Sequence, residues 1–268
     1  MLKDITLGQY FPGNSIAHKL DPRTKILLVT LYIIALFSAK GWMGYAVMAV
    51  TLAACVKVSH VGLRALVRGL KPLVFIIAFT GILNMFFTPD THYLWEWGIL
   101  RVSVKGIENA LFMVIRIMLL VMGTFLMTYT TSPIRLTDGL ESLLNPLKKI
   151  HVPVHELAMM MAIALRFIPT LIEETDKIMS AQKARGADFE SGNIFQKAKA
   201  LVPILVPLFI SAFRRADELA TAMECRCYHG GEGRTKLHVL KYQRRDYVAL
   251  AGGAVILALV VVLRRLGA

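Results

Sequence analysis

Charge is sparse in this chain. Asp, Glu, Lys and Arg supply 18% of its 268 residues, against about a quarter in ordinary soluble domains. Acids are the scarcer sign, 18 against 31 Lys and Arg, which leaves a formal net charge of +13. Cysteine occurs three times. Cys55 lies in an apolar run and reads as a small inert hydrophobe, while Cys225 and Cys227 form a C-x-C with no second pair to complete a metal site. Reduced thiols and no disulfide framework are expected. Catalytic signatures are missing too: there is no Walker lysine loop, nucleophile elbow or metal-hydrolase motif. His151 and His155 stand four apart, but Pro153 between them disturbs the helical face a metal pair needs. No catalytic residue and no metal ligand is therefore expected, and the chain by itself cannot hydrolyse ATP. Nucleic-acid reader motifs are also lacking, so the basic balance does not point to nucleic acid. Residues Met1 to Pro22 contain no apolar h-region, and no cleavable signal peptide is expected.

What the chain has is apolar length. Hydrophobic residues make up 56%, and the charges are segregated between long apolar runs, as a bilayer imposes on flanks and spans. The reading is an all-α integral membrane protein of about five transmembrane helices plus a cytoplasmic coupling domain of long crossing helices. Ile26 to Ala39 with its flanks, Trp42 to Val58, Pro72 to Thr88 and Gly106 to Thr131 make four spans, and Tyr247 to Leu263 makes the fifth. Ser59 to Lys71 reads as an amphipathic surface helix, capped by Ser59, with Leu63, Leu66, Val67 and Leu70 on one face and Arg64, Arg68 and Lys71 on the other. Pro89 to Lys105 reads as a short outer hairpin carrying Trp95 and Trp97 at the interface. Arg116 is one charge within a span and needs a partner. Three regions follow: 1–131 with four spans, 132–245 as a cytoplasmic domain, and 246–268 as a last transmembrane helix. Basic blocks place the N-terminus and the 132–245 region on the cytoplasmic side of the cell membrane and the C-terminus outside. No inverted repeat of the kind typical of secondary transporters is visible.

The region 132–245 carries 17 Lys and Arg against 12 Asp and Glu, with few clean spans. A first helix bears Leu136, Leu140, Leu143, Leu144 and Leu147 and stops near Asn145-Pro146. A second runs from Val154 to Arg185, with a kink expected at Pro169 and a left-handed stop at Gly186. A third begins around Ala198, contains Pro203 and Pro207, and ends near Cys225-Arg226-Cys227. Its Ala212, Ala216 and Ala220 form a small-residue stripe that lets another helix cross closely. Two long helices thus each end in an arginine, whose planar fork of donors suits a carboxylate-lined groove on a partner. Asp21 and Pro22 read as cap and first residue of the helix opening the first span, with Arg23 and Lys25 as snorkelling anchors facing the inside.

The stretch Ser15 to Lys25 (SIAHKLDPRTK), the triplet Ala184-Arg185-Gly186 and the segment Met223-Glu224-Cys225-Arg226 resemble the T component of energy-coupling factor (ECF) transporters. These are ABC-type importers of vitamins and metal ions, and the resemblance covers almost the whole chain in the same order. It implies a non-catalytic subunit that binds no cofactor directly. Two partner ATPases would use ATP and Mg, each accepting one arginine-tipped helix: Ala184, Arg185 and Gly186 dock one, Cys225, Arg226 and Cys227 the other. A separate membrane-embedded S component would bind the substrate and rest on a platform including Leu136, Leu140, Leu143, Leu144 and Leu147. His18, Asp21, Pro22, Arg23 and Lys25 make up the family's N-terminal motif. The second triplet departs from Ala-Arg-Gly in reading Cys225-Arg226-Cys227, and Tyr228 to Gly231 are expected to supply its turn.

Within that resemblance, the length and the segment Gly8 to Gly13 look more like T components shared among several vitamin-binding S components than like those dedicated to cobalt, nickel or biotin. The rival from another class is an autonomous channel or secondary transporter. Against it, Arg116 and the few other polar residues in the spans are too sparse to line an ion path.

Overall fold

The computed structural model describes residues 10–88, 93–97, 100–189, 193–230 and 239–266. The first two residues of the Gly8–Gly13 segment, the side chains of Trp95 and Trp97, and Gly231 of the expected turn lie outside the described residues. The chain divides into two compact units, 8–142 with 240–268, and 143–239 together with residues 1–7. The sequence division at 131 and 245 differs in that the helix after Ser132 groups largely with the first unit.

That first unit begins with a single turn, α1 (Ile16–Lys19), followed by α2 (Pro22–Ser38), α3 (Gly41–Ser59), α4 (Leu63–Leu70) and α5 (Val74–Phe87). Strands β1 (Tyr93–Trp97) and β2 (Leu100–Ser103) pair antiparallel, the hairpin expected there, and lead into α6 (Val104–Thr130) and α7 (Pro133–Leu144). After the second unit the chain returns as α10 (Arg244–Arg265), which packs along α2 while α5 packs along α6. Leu36, Met48, Leu66 and Val260 are fully buried where α2, α3 and α4 meet α6 and α10 meets α2 and α3. Most other apolar side chains face outward, among them Phe75, Phe79 and Val255. An apolar exterior around a small interior is the pattern expected of helices whose solvent is lipid.

Ser59 does not cap a surface helix. It ends α3, its hydroxyl donating to Val56 O at 2.9 Å and accepting from the Val61 N–H at 3.4 Å. α4 starts at Leu63 without a side-chain cap and runs through a 3-10 turn (Lys71–Leu73) into α5. Leu66 and Leu70 are buried, whereas Leu63 and Val67 are exposed, so the expected apolar stripe is split between interior and exterior.

The second unit contains a 3-10 segment (Asn145–Ile150), α8 (Val154–Ala184) and α9 (Ile194–Cys225). Both helices continue past their prolines, Pro169 in one, Pro203 and Pro207 in the other. They cross through Gln182 Nε2 donating to Pro203 O at 3.4 Å and through an ion pair of Arg215 with Glu174 at 2.9 Å. As the contacts run toward earlier residues of α8 they run toward later residues of α9, so the pair is antiparallel. The less exposed face of α9 carries Ile204, Leu208, Ala212, Arg215 and Leu219, so the alanine stripe contributes only Ala212 to it, Ala216 and Ala220 being exposed.

Six stretches among the described residues are long and apolar enough to cross a membrane: α3, the α4–α5 run, α6, α8, α9 and α10. Four of these coincide with runs read as spans from sequence; α8 and α9, in the 132–245 region, meet the same test of length and composition, which by itself places neither across a membrane. α2, with 17 residues, is at the short end of what spans, since a helix needs about 17–25 residues to cross the hydrocarbon.

Arg116, the charge inside α6, finds its partner in Tyr45. Its Nε and Nη2 donate to the Tyr45 hydroxyl at 2.9 and 2.5 Å, and its guanidinium lies 5.7 Å from the Phe37 ring. Tyr45 itself is buried and stacks on Phe112. Tyr45→Phe should lower the thermal midpoint of the detergent-solubilised chain, because a hydrogen bond to a charged group is worth about 1.5–3 kcal/mol. Arg116→Met on that background should recover part of the loss, since removing both partners relieves the stranded charge.

Candidate functional site

α8 and α9 end in the same way. At the first tip the Gly186 N–H donates to Lys183 O at 3.0 Å and the Ala187 N–H to Gln182 O at 3.0 Å. At the second the Cys227 N–H donates to Glu224 O at 2.8 Å and the Tyr228 N–H to Met223 O at 3.0 Å. Both are the paired backbone bonds of a Schellman cap. Arg185 and Arg226 therefore hold the same position, the last residue before a left-handed one. That left-handed residue is Gly186 (φ 85°) at one tip and Cys227 (φ 55°) at the other. The turn expected from Tyr228 to Gly231 is made at Cys227 itself, with Gly230 also left-handed (φ 95°).

Ala184, Arg185, Gly186, Cys225, Arg226 and Cys227 are all exposed. Among the described residues no hydrogen bond or ion pair holds either guanidinium. A Cβ built on Gly186 would meet nothing within 4 Å, so what glycine offers there is an unstrained backbone angle and not space. Since α8 and α9 are antiparallel, their arginine tips lie at opposite ends of the pair. From the crossing at Pro203 to Arg226, at about 1.5 Å per residue, is roughly 35 Å.

The leucines expected to form a platform do not share one helix. Leu136, Leu140, Leu143 and Leu144 lie on α7, the first three half-buried, whereas Leu147 sits in the following 3-10 segment and is exposed. Pro146 sets that break by removing a backbone donor. A longer exposed apolar row, not picked out in the sequence, runs along α9 through Val202, Val206, Phe209 and Phe213. Its signal was the near-continuous run Leu201 to Phe213, which the two prolines disguised.

In the first unit, the N-terminal motif folds into a buried polar cluster. Asp21 caps α2 as expected, its Oδ1 accepting the Arg23 N–H at 2.9 Å with Pro22 at the first helical position. His18 is buried, its ring bonded to Ser15 Oγ at 2.7 Å and to Phe11 O at 3.0 Å. Arg23 and Lys25 are not anchors reaching for the aqueous face. Arg23 bonds its neighbour Asp21 and donates through Nη2 to Leu240 O at 2.6 Å, with the Tyr242 ring 4.5 Å beneath. Lys25, only 6% exposed, donates to Thr130 O at 2.8 Å and Thr131 Oγ1 at 3.0 Å. Asp246, 1% exposed, closes the cluster: Oδ1 accepts the Asp21 N–H at 2.9 Å and Oδ2 the Gln243 N–H at 2.8 Å. Asp246 was not singled out from sequence, although Gln243-x-x-Asp246 ahead of an apolar run is a capping-box pattern.

Comparison with known proteins agrees with this layout. Residues 13–237 match the family model CbiQ, described as a cobalt transport protein. The energy-coupling factor transporter transmembrane protein EcfT of Clostridium kluyveri is 57% identical over 250 residues, 93% of each chain. The EcfT proteins of Ruminiclostridium cellulolyticum (54%, 92% of each chain) and Bacillus subtilis (46%, 98% of this chain and all of that one) are similar along the same length. The chain belongs to the EcfT family. It is thus a multi-pass transmembrane component of an energy-coupling factor transporter, and its relatives are named as transporter membrane components, in keeping with a non-catalytic subunit.

The EcfT-family tips differ in one measurable respect. A non-glycine residue in the left-handed region costs about 1–2 kcal/mol relative to glycine. Cys227→Gly should raise, and Gly186→Ala lower, the hydrogen-exchange protection of the Tyr228 and Ala187 amides respectively.

Proposed function

We propose that this chain is the coupling subunit of its transporter, linking ATP hydrolysis by two associated ATPases to uptake through a separate S component. The observation carrying this reading is the pair of unpartnered, exposed arginines in identical Schellman caps at opposite ends of the α8–α9 pair. One such arginine would be an ordinary helix end. Two in the same backbone frame, tens of ångströms apart, offer one plug to each member of an ATPase pair. Each guanidinium can bind a carboxylate through two parallel hydrogen bonds, which fixes orientation as well as charge. ATP and Mg are used by the partners.

In this reading α8 and α9 are the coupling helices, and the 132–245 region and N-terminus face the cytoplasm with the C-terminus outside. The positive excess between Ser132 and Arg245 supports that orientation. The S component rests on apolar surface, either Leu136 to Leu147 or the Val202–Phe213 row of α9. The exposure of Phe209 (64%) and Phe213 (62%) favours the latter as the larger contact. Sharing among several vitamin-binding S components rests on the resemblance of length and N-terminal segment, with a dedicated cobalt, nickel or biotin component as the alternative.

Arg185→Ala and Arg226→Ala should each weaken ATPase retention, by about 1.5–3 kcal/mol for a lost charge-assisted contact. The double variant, reconstituted with ATPases and S component, should lose ATP-driven uptake. Wild-type uptake in the double variant, or uptake by the chain alone in liposomes, would overturn the coupling reading. A footprint checks docking without touching the arginines. In a Cys55→Ala background, maleimide should label Cys225 and Cys227 readily on the free chain, and their labelling should fall at least severalfold once the ATPases are bound. Equal labelling in both states would place the ATPases elsewhere.

A further inference from the structure

The chain leaves the first compact unit after Ser142 and re-enters it at Leu240. Both passages are held at their first-unit ends by the same turn of α2. On the outgoing side, Lys25 Nζ binds Thr130 O and Thr131 Oγ1, the two residues at which α6 gives way to the segment leading into α7. Farther along that passage, Gly139 of α7 lies against Pro22: a Cβ there would come within 3.0 Å of Pro22 Cβ and 3.2 Å of its carbonyl carbon. On the returning side, Arg23 Nη2 binds Leu240 O, the first residue back in the unit, and the guanidinium covers Tyr242. Asp246, at the third position of α10, then binds the Asp21 N–H. Four of the five residues Asp21 to Lys25, all but Thr24, thereby grip both strands of chain that connect to the helices carrying Arg185 and Arg226.

We infer that Asp21–Lys25 is a clamp through which displacement of the 143–239 unit is delivered to α2 and α10, with Arg23 and Lys25 as its positioning residues. The inference rests on the coupling role proposed above. A segment tied only by its peptide bonds can swing at Thr131 or at Leu240 without moving the helices behind them. Here such a swing must break charge-assisted bonds, which are about twice as strong as neutral ones and directional. Asp21, Lys25 and Asp246 are also buried, with Arg23 half-buried beside them, so water cannot replace the inner bonds without entering. A push at either passage is therefore carried into the turn that starts α2 and, through Asp246, into α10, which packs along α2. Coupling through a connected hydrogen-bond network of this kind is an energetic statement and is tested as one.

The test uses the complete transporter, this chain with its two ATPases and an S component, in liposomes, measuring substrate taken up per ATP hydrolysed. Arg23→Ala should assemble, hydrolyse ATP and lose at least roughly tenfold in uptake per ATP, since even one lost charge-assisted hydrogen bond is of that size and the bonds to both Leu240 O and Asp21 go. Arg23→Lys, which keeps the charge without the fork, and Tyr242→Leu, which removes the ring and leaves α2 intact, should each show a smaller loss of the same kind. If Arg23→Ala fails to assemble, those two variants decide. Uptake and hydrolysis falling in parallel in all assembled variants would reduce the cluster to a structural staple and overturn the clamp, as would an unchanged ratio. The Arg185→Ala/Arg226→Ala pair run alongside separates the two readings. Uncoupling by the tip variants with a wild-type ratio in the clamp variants sinks the clamp alone, whereas wild-type uptake in the tip variants sinks the coupling role beneath it.

Discussion

A single buried carboxylate closes the first unit on itself. Asp246 sits at 1% exposure with each oxygen taken by a backbone N–H, one from Asp21 at the start of the first long helix and one from Gln243 at the start of the last. A carboxylate left without partners at such a depth would cost several kcal/mol or give up its charge, so the two helix beginnings must stay together. Much else follows from that meeting. α10 lies along α2, Arg23 is brought within reach of Leu240 O, and the apolar sides of both helices share the core with Leu36 and Val260. Polar satisfaction fixes the register, and apolar packing fills in around it.

The same accounting of backbone groups governs the helix ends in the second unit. The last carbonyls of α8 and α9 are satisfied by backbone N–H groups of the residues that follow them, in one repeated pattern. Burial contributes little there, since all six tip residues are exposed. The geometry is set locally by one left-handed residue at each end, which is why a motif of three residues can hold its shape at the tip of a helix about 45 Å long.

What could be read in the sequence follows from what each signal depends on. Apolar length is written in consecutive residues, and the runs ending near Ser59, Phe87, Thr130 and Leu263 matched helices to within a few residues. The Asp21-Pro22 cap is equally local and was legible. The partners of Arg23, Lys25 and Asp246 were not, because those bonds join residues more than 100 positions apart, and a basic residue flanking an apolar run looks like a snorkelling anchor until its acceptor is known. The alanine stripe of α9 misled for a related reason: small residues permit a close crossing but do not demand one, and the bulkier row with Arg215 found a specific partner in Glu174. Charge content also misled. α8 and α9 carry enough Lys, Arg, Asp and Glu overall to look non-spanning, yet each contains a long apolar window, because the charges of α8 crowd toward its C-terminal half and those of α9 toward its two ends.

Cys227 shows why the tips are better described by backbone shape than by residue letters. An arginine at the end of a helix ordinarily has a task close at hand, because its guanidinium can bond the exposed carbonyls of the last turn and complement their partial negative charge. In this chain the Schellman bonds already occupy the carbonyls of Gln182, Lys183, Met223 and Glu224. The cap therefore releases the side chain it carries, and a long, charged, rotamer-rich group is left exposed at the cost of the entropy needed to order it later. Cys227 takes the left-handed angle that glycine takes without strain, and accepts the penalty of a Cβ there. The same angle ends α3 at His60 (φ 55°) and the 3-10 segment at His151 (φ 61°), so by itself it is an ordinary helix stop. What the two tips share beyond that stop is an arginine directly before the left-handed residue, exposed in both cases.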